Sequence, residues 1–141
     1  MRIGSDIEYI EIEEIERILE GFPCAGDVRL RVSLSLQEFR GSYDGIWLDL
    51  TEVESFLDSL SVLDEERQGI ARIVSISPGE FIFEIRSSDK SGHMEIEVQL
   101  RRYQYSGTRY WPIYLSGGFQ VQPDAIKQLI VGFKSFIKEA K

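Results

Sequence analysis

Residues 28–36 read Val-Arg-Leu-Arg-Val-Ser-Leu-Ser-Leu, and this strict alternation of apolar with polar side chains decides the fold. Successive side chains of a β-strand point to opposite faces, so the stretch predicts a strand with one apolar and one polar face. Residues 39–45 follow with two glycines suited to a turn, and the apolar alternation resumes at Ile46, Leu48 and Leu50. The two segments predict an antiparallel hairpin whose apolar face other elements must cover.

Two apolar stripes at helical spacing predict these covering elements. The first begins at Thr51-Glu52-Val53-Glu54, which has the Thr and Glu spacing of a capping box and predicts a helix over residues 51–66. The second follows Pro123-Asp124 and predicts a closing helix over residues 123–140, whose last turn holds three lysines that suit the helix dipole. The stripes comprise Val53, Phe56, Leu57, Leu60 and Leu63, then Ile126, Leu129, Ile130, Phe133, Phe136 and Ile137; the lysines are Lys134, Lys138 and Lys141.

The rest of the chain alternates mainly like strands. Four further strands are expected, at residues 70–77, 80–86, 94–100 and 109–115. The first three form a meander around the turn dipeptide Pro78-Gly79, and the fourth is expected to end in a bulge or bend at Ser116-Gly117-Gly118. Residues 7–20 carry both strand and helix spacing, and the strand interpretation is favoured. Residues 1–141 therefore predict one α+β domain, a mostly antiparallel meander sheet packed by two helices.

The charge of the chain is acidic and uneven. The formal net charge is −8, and residues 1–66 hold 17 acids and 5 bases, whereas residues 67–141 hold 7 acids and 11 bases. Because phosphate contacts need clustered Lys and Arg, the overall balance argues against nucleic acid as a partner. The acidic half admits two interpretations, a solvated surface that maintains solubility or a docking face for a basic partner.

Catalytic and metal-binding residue types are scarce. His93 is the single histidine and Cys24 the single cysteine, so we predict no metal site, no cofactor, no internal disulfide and no enzymatic activity. A Cys24–His93 nucleophile pair stays as an alternative without a local signature to support it. No apolar run reaches the roughly 18 to 20 residues that cross a bilayer, and residues 1–6 do not begin a signal peptide, so we expect a cytoplasmic protein with no membrane partner.

One segment interleaves arginines with aromatic residues, in Arg101-Arg102-Tyr103-Gln104-Tyr105 and Arg109-Tyr110-Trp111. Such a pattern occurs on surfaces that stack single-stranded nucleic acid, but in a chain of net negative charge it is more typical of a packed sheet edge or a partner-binding patch. A small-molecule-binding or enzymatic site built from Arg101, Arg109, Tyr105 and Trp111 is a further alternative, which predicts a deep pocket there.

Several motifs taken in order resemble the WapI-type immunity proteins of bacterial polymorphic toxin systems. They are the alternating strand over residues 27–36, Phe39-Arg40-Gly41, the helix with Phe56 and Leu60, Gly69-Ile70-Ala71, Gly92-His93-Met94-Glu95-Ile96-Glu97-Val98, and the Pro123-Asp124 helix. The resemblance covers roughly residues 27–141; residues 23–28 depart from it, because they lack the tryptophan often seen beside this strand in similar chains. It implies a small cytoplasmic protein that occludes a toxin without catalysis, and toxins of that class are commonly basic and attack RNA.

The resemblance and the charge pattern together predict an acidic docking face for a basic toxin around the first helix and the turn before it. The acids are Asp44, Asp49, Glu52, Glu54, Asp58, Glu65 and Glu66, with Tyr43 and Trp47 as aromatic anchors. Trp47 is out of phase with Ile46 and Leu48, so it is expected to face away from the core. The alternative is a self-associating structural or regulatory domain with no toxin. For Trp47 the competing account is packing in a second layer or in a dimer.

Overall fold

The computed structural model describes residues 1–137, which form an antiparallel α+β fold with two helices, as predicted. The strands are β1 (Arg2–Gly4), β2 (Glu8–Arg17), β3 (Val28–Leu36), β4 (Phe39–Leu48), β5 (Ile70–Val74), β6 (Phe81–Ser87), β7 (Met94–Arg102), β8 (Tyr105–Ser106), β9 (Arg109–Tyr110) and β10 (Ile113–Val121). The helices are α1 (Leu50–Glu66) and α2 (Ala125–Ile137). Neither described helix is long and apolar enough to span a bilayer.

The strands lie in two four-stranded sheets and one short hairpin, whereas the sequence predicted one meander sheet. The first sheet has the order β1-β2-β3-β4, the second has the order β10-β7-β6-β5, and β8 pairs only with β9. Alternation along a strand specifies its two faces but not its neighbours, so the sequence pattern could not assign strands to sheets. The alternating stretch over residues 28–36 is β3, an interior strand of the first sheet.

The turn predicted at residues 39–45 is wrong, because residues 39–45 belong to β4. The chain reverses earlier, at Gln37 and Glu38. Gln37 takes the left-handed conformation at φ 62°, and its N–H donates to the Ile7 carbonyl at 2.8 Å. The glycines in this strand leave room for neighbours: a Cβ at Gly45 would lie 2.5 Å from the Tyr43 hydroxyl. Glycine here marks close approach and not reversal.

Two β-bulges disturb the first sheet. In β2 the register shifts between Glu14 and Glu16, so the extra residue Ile15 breaks the alternation that the strand interpretation requires. That interpretation is confirmed, since Ile10 and Ile12 are buried in β2. A second shift lies between Leu30, which pairs with Ile46, and Val32 further along β3. Because the second bulge adds one residue to β4, side chains on its two sides alternate out of phase. A β4 position that would face the core without the bulge faces solvent beyond it.

The bulge or bend predicted at Ser116-Gly117-Gly118 is also wrong, because β10 pairs with β7 without interruption from Ile113 to Val121. Both glycines serve close contacts: a Cβ at Gly117 would lie 2.7 Å from Leu36 Cδ1, and one at Gly118 would lie 2.4 Å from the Ile96 carbonyl oxygen. The contact of Gly117 with Leu36 joins the two sheets, because Leu36 ends β3 of the first sheet. The strand expected over residues 109–115 is divided into β9 and the start of β10.

Both sheets and both helices share one hydrophobic core. Phe56 of α1 is 1% exposed and makes edge-on contacts with Phe83 of β6 and Phe133 of α2, with ring centres 5.9 Å and 4.9 Å apart. The closing helix predicted over residues 123–140 is confirmed over the described part, with Pro123 and Asp124 preceding it in a turn. Lys138 and Lys141 lie outside the described residues.

Candidate functional site

The start of α1 is fixed by Asp49, one of the predicted docking residues. Its Oδ1 accepts hydrogen bonds from the backbone N–H groups of Thr51 at 2.7 Å and Glu52 at 3.3 Å, and Asp27 Oδ1 accepts from Leu50 at 3.2 Å. The capping box predicted at residue 51 is therefore wrong, because Thr51 lies inside the helix and Asp49 is the N-cap. Asp49 has a structural role at the beginning of the acidic helix.

Replacing Asp49 with Ala should lower the free energy of unfolding by about 1 kcal/mol, because two helix N–H groups lose their acceptor. Asp49→Ser should retain most of the stability, since a serine hydroxyl also caps. Urea denaturation followed by circular dichroism measures both variants. Wild-type stability in Asp49→Ala would show that the carboxylate does not hold the helix start.

The exposed side of α1 carries a row of carboxylates, which we call the acidic face and define as Glu54, Asp58, Glu65 and Glu66. Residues 54, 58 and 65 recur at helical spacing, and all four side chains are exposed. Within residues 1–137 none of the four forms an ion pair. Their charges are therefore directed to solvent.

An apolar groove borders the acidic face at the C-terminal half of α1. Val62 of the helix is 51% exposed and Ile70, the first residue of β5, is 61% exposed. Both line a shallow groove of about 360 Å³ together with Asp58 and Glu66. An apolar strip beside carboxylates is the composition of an interface core with a charged rim.

The other predicted docking residues lie elsewhere. Asp44 is in the β4 bulge on the first sheet, where its carboxylate lies 3.8 Å from Arg31. Trp47 is half-buried beside Arg29, which it opposes on the outer face of the sheet. Glu52 is half-buried at the flank of α1. The structure thus separates the sheet residues from the acidic face.

Tyr43 points to the opposite side from Trp47 because the bulge lies between them. It opposes the buried Val32 and packs against the core. Burial raises the pKa of the Tyr43 hydroxyl, and the nearby Glu80 carboxylate raises it further. Tyr43 and Trp47 therefore cannot anchor a partner from one face of the first sheet.

A second exposed surface, which we call the hairpin patch, lies on β8, β9 and the adjoining ends of β7 and β10. It consists of Arg101, Arg102, Tyr103, Tyr105, Arg109, Tyr110, Trp111 and Tyr114. Tyr105 is 73% exposed, Tyr114 63% and Trp111 49%. The interleaved arginines and aromatic residues in the sequence indicated a partner-binding patch as one alternative, but the outward orientation of the rings is visible only in the structure.

The rings and guanidinium groups of the hairpin patch stack on one another. The Tyr110 ring centre lies 6.0 Å from Tyr103 and 5.5 Å from Tyr105. The Arg109 guanidinium lies 4.9 Å from the Trp111 ring centre, and that of Arg101 lies 4.7 Å from Tyr103. The Tyr103 hydroxyl donates to the Pro78 carbonyl at 2.8 Å, so the group is tied to the β5–β6 turn.

The larger cavities are not at the hairpin patch. One of about 550 Å³ lies between the β2–β3 loop and the ends of the helices, and includes Leu50 and Phe136 in its wall. Another of about 420 Å³ is lined by His93 and Asp124. The exposed rings of the patch, as far as the structure describes them, form a surface and not the deep pocket that a small-molecule site would need.

Groups with catalytic potential are dispersed. His93 Nδ1 lies 2.7 Å from Asp89 Oδ2, and this hydrogen bond lowers the pKa of the Asp89 carboxyl. Cys24 is an exposed free thiol in the β2–β3 loop. Among residues 1–137, no three His, Cys, Asp or Glu side chains are arranged to hold a metal ion.

Two exposed surfaces of different chemistry, one acidic beside an apolar groove and one aromatic and basic, are features of the class of proteins that act by binding other proteins. The family model of the WapI-like immunity proteins matches residues 1–140. The chain belongs to this family, and membership implies a toxin-neutralising role. The match includes residues 1–26, which the resemblance in the sequence did not cover. No curated protein and no solved structure matches the chain.

Proposed function

We propose that the protein is a bacterial immunity protein that acts in the cytoplasm and neutralises a cognate basic toxin by direct, non-catalytic binding. Family membership supports the role. The acidic face supports the mode of binding, because its four carboxylates are exposed and without ion pairs in the described chain. No cofactor or metal enters this proposal.

The observation that carries the proposal is the position of Glu65 and Glu66 in α1. The helix ends at Glu66, and no basic residue lies in its last turn. Acids at a helix C-terminus are unfavourable by about 0.3–1 kcal/mol, because the helix dipole places negative partial charge there. Contact with a basic partner would explain why two carboxylates stand at a helix end where they lower the stability of the helix.

The groove beside the acidic face gives the partner an apolar contact. Charges steer association and fix orientation, whereas the burial of apolar side chains contributes more of the affinity. Val62 and Ile70 are the exposed apolar side chains in this place. The proposed docking face therefore comprises the acidic face with Val62 and Ile70, while Tyr43, Asp44, Asp49, Glu52 and Trp47 are outside it.

The function is tested with the toxin domain encoded by the neighbouring gene. Mixed with the purified protein, this domain should elute as a stable complex in gel filtration and should lose its activity at a stoichiometric ratio. An unrelated toxin domain of similar charge serves as the control for non-specific adhesion. Full toxin activity in the presence of excess protein would refute the proposal. The protein run alone on the same column tests the homodimer alternative.

A further inference from the structure

The arginines of the hairpin patch differ from six of the eight other arginines of the protein. Six arginines elsewhere form ion pairs with carboxylates: Arg17, Arg29, Arg31, Arg67, Arg72 and Arg86. Arg86 alone contacts Glu84, Glu95 and Glu97, and these carboxylates raise its pKa. Within the described residues Arg101, Arg102 and Arg109 have no ion pair, although the chain holds 24 acids.

The guanidinium groups are held in place by aromatic rings. Arg102 lies 5.8 Å from the Tyr43 ring centre and Arg101 5.8 Å from that of Tyr114, in addition to the contacts with Tyr103 and Trp111. Stacking on a ring leaves the edge of the guanidinium free to donate two parallel hydrogen bonds. Arg101 Nε is buried and has no hydrogen-bond partner within the described chain.

We propose that the hairpin patch binds a carboxylate-bearing segment of the toxin and determines which toxin the protein recognises. The proposal rests on the function proposed above. Carboxylates fit the fork of an arginine by two hydrogen bonds, and Tyr, Trp and Arg are the residues most enriched in protein-binding hot spots. A partner must then present basic groups to the acidic face and acidic groups to the hairpin patch, which is a pattern that few proteins satisfy.

Two other occupants fit less well. A symmetric contact between two copies would bring the arginines of both patches into one interface, where like charges repel and no patch residue supplies a carboxylate. Single-stranded nucleic acid stacks on aromatic rings, but the protein carries a net charge of −8 and would repel the phosphates outside the patch.

The test measures the dissociation constant of the toxin domain for variants of the intact protein. Arg109→Glu should weaken binding by about 30- to 100-fold, because the toxin carboxylate buried in the complex then faces the negative charge of the new glutamate. Trp111→Ala should weaken it by at least about 10-fold. Arg109→Lys, which keeps the charge but loses the planar fork, should lie between the wild type and Arg109→Glu.

Arg2→Glu is the matched control, because Arg2 is also exposed, stacks on a tyrosine with 3.8 Å to the Tyr9 ring centre, and has no ion pair in the described residues. Its dissociation constant for the toxin domain should lie within about 2-fold of the wild-type value, because substitutions at surface positions outside an interface have little effect on binding. Wild-type affinity in Arg109→Glu and Trp111→Ala would overturn this proposal alone. Failure of the wild type to bind any toxin domain would overturn the proposed function and this proposal with it. Binding of an oligouridylate that is lost in Arg109→Glu, with toxin affinity unchanged, would assign the patch to nucleic acid.

Discussion

Phe56→Ala should lower the free energy of unfolding by about 3–5 kcal/mol, a large part of the total stability of a domain of this size. Phe56 is buried and lies between Phe83 of the second sheet and Phe133 of α2. Its truncation removes transfer free energy and leaves a cavity where a helix, a sheet and the second helix meet. Chemical denaturation of wild type and variant, with the midpoint and slope fitted together, measures the difference.

Phe39→Ala is the matched control for this substitution. Phe39 begins β4 and is 72% exposed, so the same chemical change should alter stability by less than about 0.5 kcal/mol. If Phe56→Ala does not fold, Phe56→Leu retains most of the volume and gives a smaller loss that can be measured. Similar losses at residues 39 and 56 would contradict the placement of Phe56 at the centre of the core.

The double substitution Asp58→Lys and Glu65→Lys should slow association with the toxin by about 10- to 100-fold at low ionic strength. Both side chains are exposed on α1, so the helix and the core are left intact. The effect should shrink as salt is added, because charges are screened over about 8 Å at physiological ionic strength. Stopped-flow mixing over a series of salt concentrations measures the rate constants.

Asp6→Lys with Glu38→Lys changes the net charge by the same amount at exposed positions in the β1–β2 and β3–β4 turns. This control variant should associate at nearly the wild-type rate if the acidic face is the docking site. Equal slowing in the two variants would show that net charge, and not the position of the carboxylates on α1, governs the encounter.

The sequence was informative where one physical constraint dominates. Burial of one face produces the alternating pattern of β3 and the apolar stripes of α1 and α2. These elements were therefore predicted within a few residues. Glycine was misleading because it serves both tight turns and close packing. Gly45 and Gly117 were interpreted as a turn and a bend, yet each makes room for a neighbouring side chain that is identifiable only in three dimensions.

The candidate site was predictable in part for the same reason. Helical spacing alone places Glu54, Asp58 and Glu65 on one face of α1. The separation of Tyr43 from Trp47 was not predictable, because it depends on the bulge in β4 that turns the two side chains to opposite faces of the sheet. The exposure of the hairpin patch depends on β8 and β9 leaving the second sheet, which alternation does not indicate.

The separation of β8 and β9 from both four-stranded sheets has a consequence for how the protein can evolve. Most of the hairpin patch lies on this hairpin and on the strand ends beside it, outside the buried core. Mutations there can accumulate at little cost in stability, because surface changes usually alter it by less than about 0.5 kcal/mol. Because the proposed recognition surface lies on these few positions, substitutions there can change which toxin the protein binds while the core and the fold are retained.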